Sequence, residues 1–584
     1  MINSIKKVLF ISILVYIIIL VSSLFIGRYS VNIINIICNN ATNLSLEKNI
    51  ILNLRLSRAI IATLTGISLS LSGLIYQETF QNDLVSPDLL GVTSGAGVGA
   101  SIAIVLSLSS YFIVFFSFVF GILTVLFTVL ISNVFRNKNN ITLILSGIIV
   151  GSFMSSVLTT IKYFVNPETQ LSTIVYWLMG SFANVTYNSI LFTFPIVFIL
   201  FIVLLLISHR INVIALGREE TETKGVNYTL YRNIIIVVAT ILTATIVSCC
   251  GTISWIGLII PHIVKGVVGR DVNKTIPLCA VFGAIFTLLA DILSRTLAQS
   301  EIPISAITGF FGSIIFTIII VHYSRTSFNY NYKRMNIDSE DINTSLLVDQ
   351  NLQVCISDDN KIISIKNISF KYNYKQDYVL NNITLDIYDR DVVLVYGSNG
   401  SGKTTLLKVV SGILFPTAGK VLLNVNANFT DLHSMNILKR SKMISYVKQN
   451  FSNVTSILVR DYLILGMVNE LRFYEKPTKD QIDRVYLYAD SLNITRLLDK
   501  KISEISGGER QLVVICQSLL QNTNIMFLDE PTSSLDSDNE ALVIETLNKL
   551  AKEYNKTMII ATHNSRFRDI SGCRIIRLQD GSMY

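Results

Sequence analysis

The sequence predicts a polytopic all-α membrane domain of about ten transmembrane helices followed by an α/β domain with a mostly parallel sheet. Three observations carry this reading. Of 584 residues, 51% are hydrophobic and only 15% charged, against about 25% charged in soluble domains, and the mean hydropathy is +0.53. Apolar runs near the length of about 20 residues that crosses a bilayer follow one another through residues 7–323. Further on, strand-like runs such as VVLVYG (392–397) and NIMFLD (524–529) alternate with helical stretches, the pattern of a parallel α/β domain. The chain is also longer than one core can hold.

The spans read as 7–26, 57–77, 91–107, 112–132, 141–163, 189–208, 233–252, 256–269, 276–294 and 304–323, with a short interfacial helix at 171–182. Lys6 and Lys7 precede the first run as in a signal peptide, but the run is too long and lacks a small-residue cleavage site, so a retained span is expected. The segment IGLIIPHIVKGVVG (256–269) is short and contains Pro261, which removes a backbone donor. It should lie buried among helices that repair the gap. With a cytoplasmic N-terminus, Lys6, Lys7, Arg136, Lys138, Arg210, Arg218, Lys224, Arg232, Arg270 and Lys274 all fall inside. An even number of spans then returns the chain to the cytoplasm.

The net charge of +8 fits cytoplasmic loops better than nucleic-acid binding, and no nucleic-acid partner is expected. The seven cysteines form no CxxC pair and have no histidine at metal spacing, so they read as small buried hydrophobes. No cluster of ionisable residues is expected at membrane depth, which disfavours a cation channel or proton pump. His262 and Asp291 are exceptions, and Asp291 is four residues from Arg295, the spacing of a helical ion pair.

From Ser324 to about Cys355 the sequence is polar without an apolar period, which predicts a linker (326–355) between a membrane domain (1–325) and the α/β domain (356–584). In the latter, Gly397, Ser398, Asn399, Gly400, Ser401, Gly402, Lys403 and Thr404 follow the strand VVLVY and open the helix KTTLLKVV, with Thr405 next. Such glycines let backbone N–H groups close round phosphate oxygens at a helix N-terminus. Lys403 is placed to reach the β and γ phosphates and Thr404 to ligate magnesium. The run IMFLDE ends a buried strand in two acids, Asp529 for the magnesium shell and Glu530 to polarise an attacking water. His563, after the strand MIIAT, is expected beside the γ-phosphate, stabilising developing charge. Together these predict an ATP hydrolase using ATP and Mg.

With those motifs, ISGGE (505–509) resembles the signature of ATP-binding-cassette (ABC) ATPases, a likeness covering about residues 356–584. The resemblance implies that Ser506, Gly507, Gly508 and Glu509 meet the γ-phosphate held by another subunit's P-loop. It also implies that Gln449 in YVKQN is the coupling glutamine and joins Thr404 and Asp529 round magnesium, that Asp536 belongs to the D-loop, and that Tyr372 stacks on adenine. Arg510 and Asn564 stand where the family usually has Gln and Asp, at positions that carry no chemistry.

Residues 54–100, with LILSGIIVG (143–151), YWLMGS (176–181), ALGREETETKGVN (215–227), GTISWIGLIIPHIVKGVVGRD (251–271) and ADILSRTLAQSEIPISAITGFFG (290–312), look like the membrane subunit of bacterial importers for iron-siderophore, haem and cobalamin, which are type II ABC importers. Independently of that likeness, the glycines and serines of the second and third spans permit close helix approach. The resemblance implies that Gly217, Arg218, Glu219, Glu220 and Gly225 belong to coupling helices that dock beside Gln449. A solvated loop is the alternative. It further implies that Arg55, Arg58 and Arg295 meet carboxylates of an extracellular substrate-binding protein, the alternative for Arg55 and Arg58 being snorkelling to lipid phosphates. The expected whole is a fused half-transporter in the cell membrane, with its ATPase in the cytoplasm, working as a homodimer or with a related fusion to import a metal chelate. An exporter, disfavoured by ten short spans, and an ATPase-coupled sensor are the rival readings.

Overall fold

A computed structural model describes the chain from residue 2 onward, except for residues 28, 30–48, 136–139, 184, 333–360, 373–376, 426–427, 450–456, 472–474, 476, 534, 536, 554, 571 and 584. The chain forms two compact units, Met1–Ile211 with Tyr231–Ser339, and Asn212–Leu230 with Glu340–Tyr584.

The first unit is helical. Its elements are α1 (Ile2–Phe25), α2 (Ser57–Phe80), α3 (Val92–Val105), α4 (Ser110–Val134), α5 (Asn140–Phe164), α6 (Ser172–Leu178) and α7 (Tyr187–Ile214); α8 (Arg218–Thr223) belongs to the second unit; then come α9 (Tyr228–Cys250), α10 (Ile256–Val268), α11 (Val272–Thr296) and α12 (Ile304–Tyr332). Among the described residues seven helices are long and apolar enough to cross a membrane, and Val92–Val105, Ile256–Val268 and Ile304–Ile319 are shorter apolar helices. These correspond one for one with the ten spans of the sequence, and α6 with the short interfacial helix. α12 runs on to Tyr332, through the first residues assigned to a linker. A helix already nucleated extends at one hydrogen bond per residue and does not need an apolar period to do so. Residues 333–355 of that linker lie outside the described residues.

α2 is the centre of this unit, with 83% of its membrane window buried against 11% for α1 and 22% for α5. Its glycines explain how it gets there. A Cβ on Gly66 would lie 2.1 Å from the Gly283 carbonyl oxygen of α11, and one on Gly73 would lie 1.8 Å from the Gly257 carbonyl oxygen of α10. Seven residues apart, the two share a face of α2, and backbone contact there replaces side-chain packing. α10 is accordingly buried at Ile256, Gly257, Ile259, Ile260 and Pro261.

The second unit contains β1 (Lys361–Phe370), β2 (Leu380–Tyr388), β3 (Val392–Tyr396), α13 (Lys403–Val410), β4 (Ala418–Val425), β5 (Asn428–Asp431), α14 (Ile437–Ser441), β6 (Ile444–Val447), α15 (Val459–Ile464), α16 (Lys479–Ser491), α17 (Gly507–Leu520), β7 (Ile525–Asp529), α18 (Ser537–Glu553), β8 (Thr557–Thr562), β9 (Cys573–Gln579) and β10 (Ser582–Met583). One sheet has the order β2-β1-β4-β5, the other β10-β9-β3-β8-β7-β6. In the second, β9, β3, β8, β7 and β6 are parallel and β10 is an antiparallel edge. The continuous apolar runs of β3 and β7 are what a strand covered on both faces requires. Residues from both sheets and α13 share one core.

Replacing Gly73 by Leu should force α2 and α10 apart and destabilise the purified protein by at least about 1–3 kcal/mol. Gly266→Ala, at a helical position where a Cβ meets nothing within 4 Å, should not destabilise and should gain up to about 1 kcal/mol from helix propensity. Thermal melting in detergent compares the two.

Candidate functional site

The nucleotide motifs converge at the ends of β3 and β7. β3 delivers Gly397–Gly402 to the N-terminus of α13, and two turns there need glycine: Gly400 has φ +83 and Gly402 φ +100. Ser398, Asn399 and Gly400 are exposed, and a Cβ on Gly400 would meet nothing within 4 Å, so the loop's outer face is open. Lys403 is 5% exposed; its ammonium donates to the carbonyls of Gly397 (2.9 Å) and Ser398 (3.0 Å) and pairs with Glu530 at 3.3 Å. The Thr404 hydroxyl donates to Asp529 Oδ1 at 2.9 Å, and the Tyr446 hydroxyl to Oδ2 at 3.1 Å. Burial pushes the Asp529 carboxyl up from the usual carboxylate range, and these two hydroxyls hold it back.

Glu530 follows β7 with φ 47, a left-handed conformation that costs a non-glycine residue about 1–3 kcal/mol. That turn sends its carboxylate toward Lys403 and His563, whose Nδ1 lies 2.9 Å away. Tyr372 is exposed, packs edge-on to Phe370 and bonds the Thr405 hydroxyl at 3.1 Å. Gln449, just past β6, is exposed. Asp536 lies outside the described residues.

The signature run caps α17. Ser506 accepts from the Glu509 N–H (3.2 Å) and Glu509 accepts from the Ser506 N–H (2.9 Å), a reciprocal capping box. Gly507 is exposed, while a Cβ on Gly508 would lie 2.4 Å from Asn539 of α18, so this end of the helix needs glycine for packing as well as for access.

Segment 212–230 folds as part of the ATPase unit. Gly217 (φ 95) opens α8, and Gly225 (φ 81) turns against Ser441, whose Oγ would be 2.2 Å from a Cβ there. Glu219 pairs with Lys408 of α13 and Glu220 with Lys448, each at 2.7 Å; Arg218 pairs within the helix with Glu222. The Lys224 ammonium donates to Gln517 Oε1 at 2.7 Å, and Gln521 Nε2 donates to the Thr223 carbonyl at 2.8 Å. Burial pulls Lys224 down to about 8, Glu220 opposing and Lys448 adding to the fall.

The three arginines that the resemblance assigns to docking are largely buried within the first unit. Arg55, Arg58 and Arg295 are 7%, 9% and 7% exposed. Arg55 donates to the carbonyls of Leu24, Phe25 and Tyr29, closing the C-terminal end of α1. Arg58 pairs with Asp291 (2.5 Å) and Glu301 (2.8 Å), and Arg295 with Asp291 (3.3 Å) and the Ser23 carbonyl (2.8 Å). Their charges are answered inside the unit. The membrane unit also holds charged groups beyond the two exceptions noted in the sequence: Lys265 pairs with Glu78 (2.6 Å) and Asp83 (3.0 Å), and Asp83 with Arg270.

Sequence reasoning did not single out Tyr446, Lys408, Lys448, Gln517 or Gln521 for these contacts. A signal was available for the glutamines: in QLVVICQSLLQN they are amides four apart within an apolar stretch, and each is 3% exposed.

A multi-helix membrane unit and a P-loop ATPase unit on one chain define a membrane transport ATPase. Residues 14–322 match the FecCD transport family and residues 380–533 the ABC transporter family, and the chain belongs to the FecCD transport family. It is 34% identical to the molybdate import system permease protein of Haemophilus influenzae over 56% of this chain and 99% of that one. It is 28% identical to an iron chelatin transport ATP-binding protein of Helicobacter pylori over 38% of this chain and 86% of that one. A solved structure of a metal-chelate type ABC transporter in an inward-facing conformation matches with TM-score 0.50 and 34% identity, over 54% of this chain and 99% of that one. The chain is thus a multi-pass membrane protein that binds nucleotide and couples ATP hydrolysis to transport.

Removing Arg58 leaves Asp291 and Glu301 short of a partner, and breaking a buried ion pair costs about 3–5 kcal/mol. Arg58→Ala should therefore lower the melting temperature of the isolated chain, which a residue used only for docking would not do. A second expectation follows from Lys224, which faces Glu220, Lys448, Tyr446 and Tyr462. Its folded amine loses its proton near 8 and the unfolded one near 10.5, so the unfolded state binds more protons between those values and stability rises with pH across them. The stability advantage of the native chain over Lys224→Met should grow through that window by roughly 1–3 kcal/mol, read from melting curves at a series of pH values.

Proposed function

We propose that the chain is one half of an ATP-driven importer that moves a metal chelate, such as an iron-siderophore, haem or cobalamin, from an extracellular binding protein into the cytoplasm. One observation carries the reading furthest: residues 212–230 lie within the FecCD match yet fold with the ATPase, held by Glu219, Glu220 and Lys224. A permease segment anchored in this way can pass a nucleotide-driven movement to the helices that continue from it. The named cargoes of similar proteins, molybdate and iron chelate, differ, as expected where a separate binding protein selects what is presented.

In this reading the open loop 397–402 and the α13 N-terminus bind the ATP phosphates through backbone N–H groups. Lys403, withdrawn from its own loop carbonyls, balances the phosphate charge, and Tyr372 stacks on the adenine. Thr404, Asp529 and Gln449 would hold magnesium. Their oxygen donors suit that hard cation, and the direct Thr404–Asp529 bond brings two of them together; the ion would supply charge neutralisation on the phosphates. Glu530, aimed by its left-handed turn, orients and polarises the attacking water, and His563 beside it stabilises charge as it develops. Ser506, Gly507, Gly508 and Glu509 offer a capped helix N-terminus to the γ-phosphate bound by a second chain, so the working unit is a pair, either two copies or this chain with a related fusion. Asp536 would lie in the D-loop between them. The ATPase unit is cytoplasmic.

Glu530→Gln keeps the shape of the side chain and removes its charge. It should bind ATP as the native chain does and lower turnover at least about 100-fold, the lower range of general-base contributions, with loss of uptake. Nucleotide binding, phosphate release and uptake of a labelled iron chelate in vesicles check this; near-native hydrolysis would remove Glu530 from the mechanism.

A further inference from the structure

Several ties join α8 and its flanks to the rest of the ATPase unit, and they are not equivalent. Glu219, with its side chain 42% exposed, reaches Lys408 on the P-loop helix, and Glu220 reaches Lys448 next to Gln449. Exposed ion pairs of the first kind hold weakly. Lys224 is different, since it is 5% exposed and its partner Gln517 3% exposed. The Gln517 amide is fixed at its other end by donating to the Tyr462 carbonyl at 2.6 Å. Next to it, Gln521 donates to the carbonyls of Thr223 and Ser441, both at 2.8 Å. Gly225, which must be glycine for its φ of +81 and its approach to Ser441, fixes the backbone that follows Lys224.

Gln517 belongs to α17, the helix whose N-terminus is capped by Ser506. From Gly507 to Gln517 a helix rises about 15 Å, and a capped helix of this length moves as one rod. Whatever Ser506–Gly508 engage at one end is therefore felt at Gln517.

We infer that Lys224 is a positioning residue that ties the coupling segment to the signature helix, the Lys224–Gln517 hydrogen bond carrying movement of that helix into the permease sequence. The inference rests on the importer reading above and adds to it a specific route. It also assigns the two sides of the segment different partners: Glu219 follows the P-loop helix, and Lys224 follows the signature helix. The low proton affinity of the buried amine fits a group that has exchanged water for one fixed amide partner.

The test uses the full chain in nanodiscs with Glu530→Gln as background, so that ATP is held without turnover. Hydrogen exchange of permease peptides covering 57–80 and 256–268 is compared with and without MgATP. Lys224→Met should reduce the MgATP-dependent change at least about fivefold, the low end of coupling between sites. Binding of a fluorescent ATP analogue and the melting temperature near pH 7 should stay within about twofold and about 4 °C. The exchanged pair Lys224→Gln with Gln517→Lys should restore the response, which a purely structural role would not require. An undiminished response in Lys224→Met, or failure of the exchanged pair to restore it, overturns the inference while leaving the transport reading intact. No response to MgATP in the Glu530→Gln parent overturns the coupling reading itself, and this inference with it.

Discussion

The membrane unit depends on how closely α2 can be approached. A helix with ordinary side chains at 66 and 73 would keep its neighbours about 8–10 Å away, but here the backbones of α10 and α11 touch it. Between hydrocarbon-like surfaces no hydrophobic gain drives helices together, so dispersion contact and buried polar bonds must do so. Both are present on α2. The glycines give the contact at mid-helix, and each end is tied by charge, Arg58 to Asp291 and Glu301 at one end and Glu78 to Lys265 at the other. The helices α1, α4, α5 and α7 are less buried and carry large exposed apolar side chains.

In the ATPase unit the corresponding constraint is electrostatic. Lys403, Asp529 and Glu530 are 5%, 1% and 6% exposed, and ions so far from water persist only if hydrogen-bonded or paired. The loop carbonyls, the Thr404 and Tyr446 hydroxyls and the Lys403–Glu530 pair answer each of them. These are the groups that nucleotide chemistry would call on, so the same contacts that keep the charges folded keep them aimed.

Much of this was legible in the sequence because it is local. The P-loop, the paired acids after a buried strand and the capping box at Ser506 are each set by neighbours within a few residues, and ten apolar runs gave ten apolar helices. What was not legible depends on contacts across long separations. Arg55 and Arg58 read as outward charges because neither Glu301 nor the carbonyl ends of α1 can be assigned to them without the fold. The polar end of α12 read as linker because its sequence has no apolar period, which a helix already nucleated does not need in order to extend. Segment 212–230 was recognisable by resemblance, but its buried bond from Lys224 to Gln517 joins residues 293 apart.

That separation has a consequence for synthesis and assembly. Lys224 is translated long before α17 exists, so the ATPase completes its fold around a segment already made. Where permease and ATPase are separate polypeptides, such a contact forms by collision and weakens on dilution. On one chain it is a loop closure, whose entropic cost grows only with the logarithm of loop length, and its effective concentration is set by tethering rather than by expression level. Each permease therefore carries its own ATPase in fixed stoichiometry, and neither can be titrated away by an excess of the other.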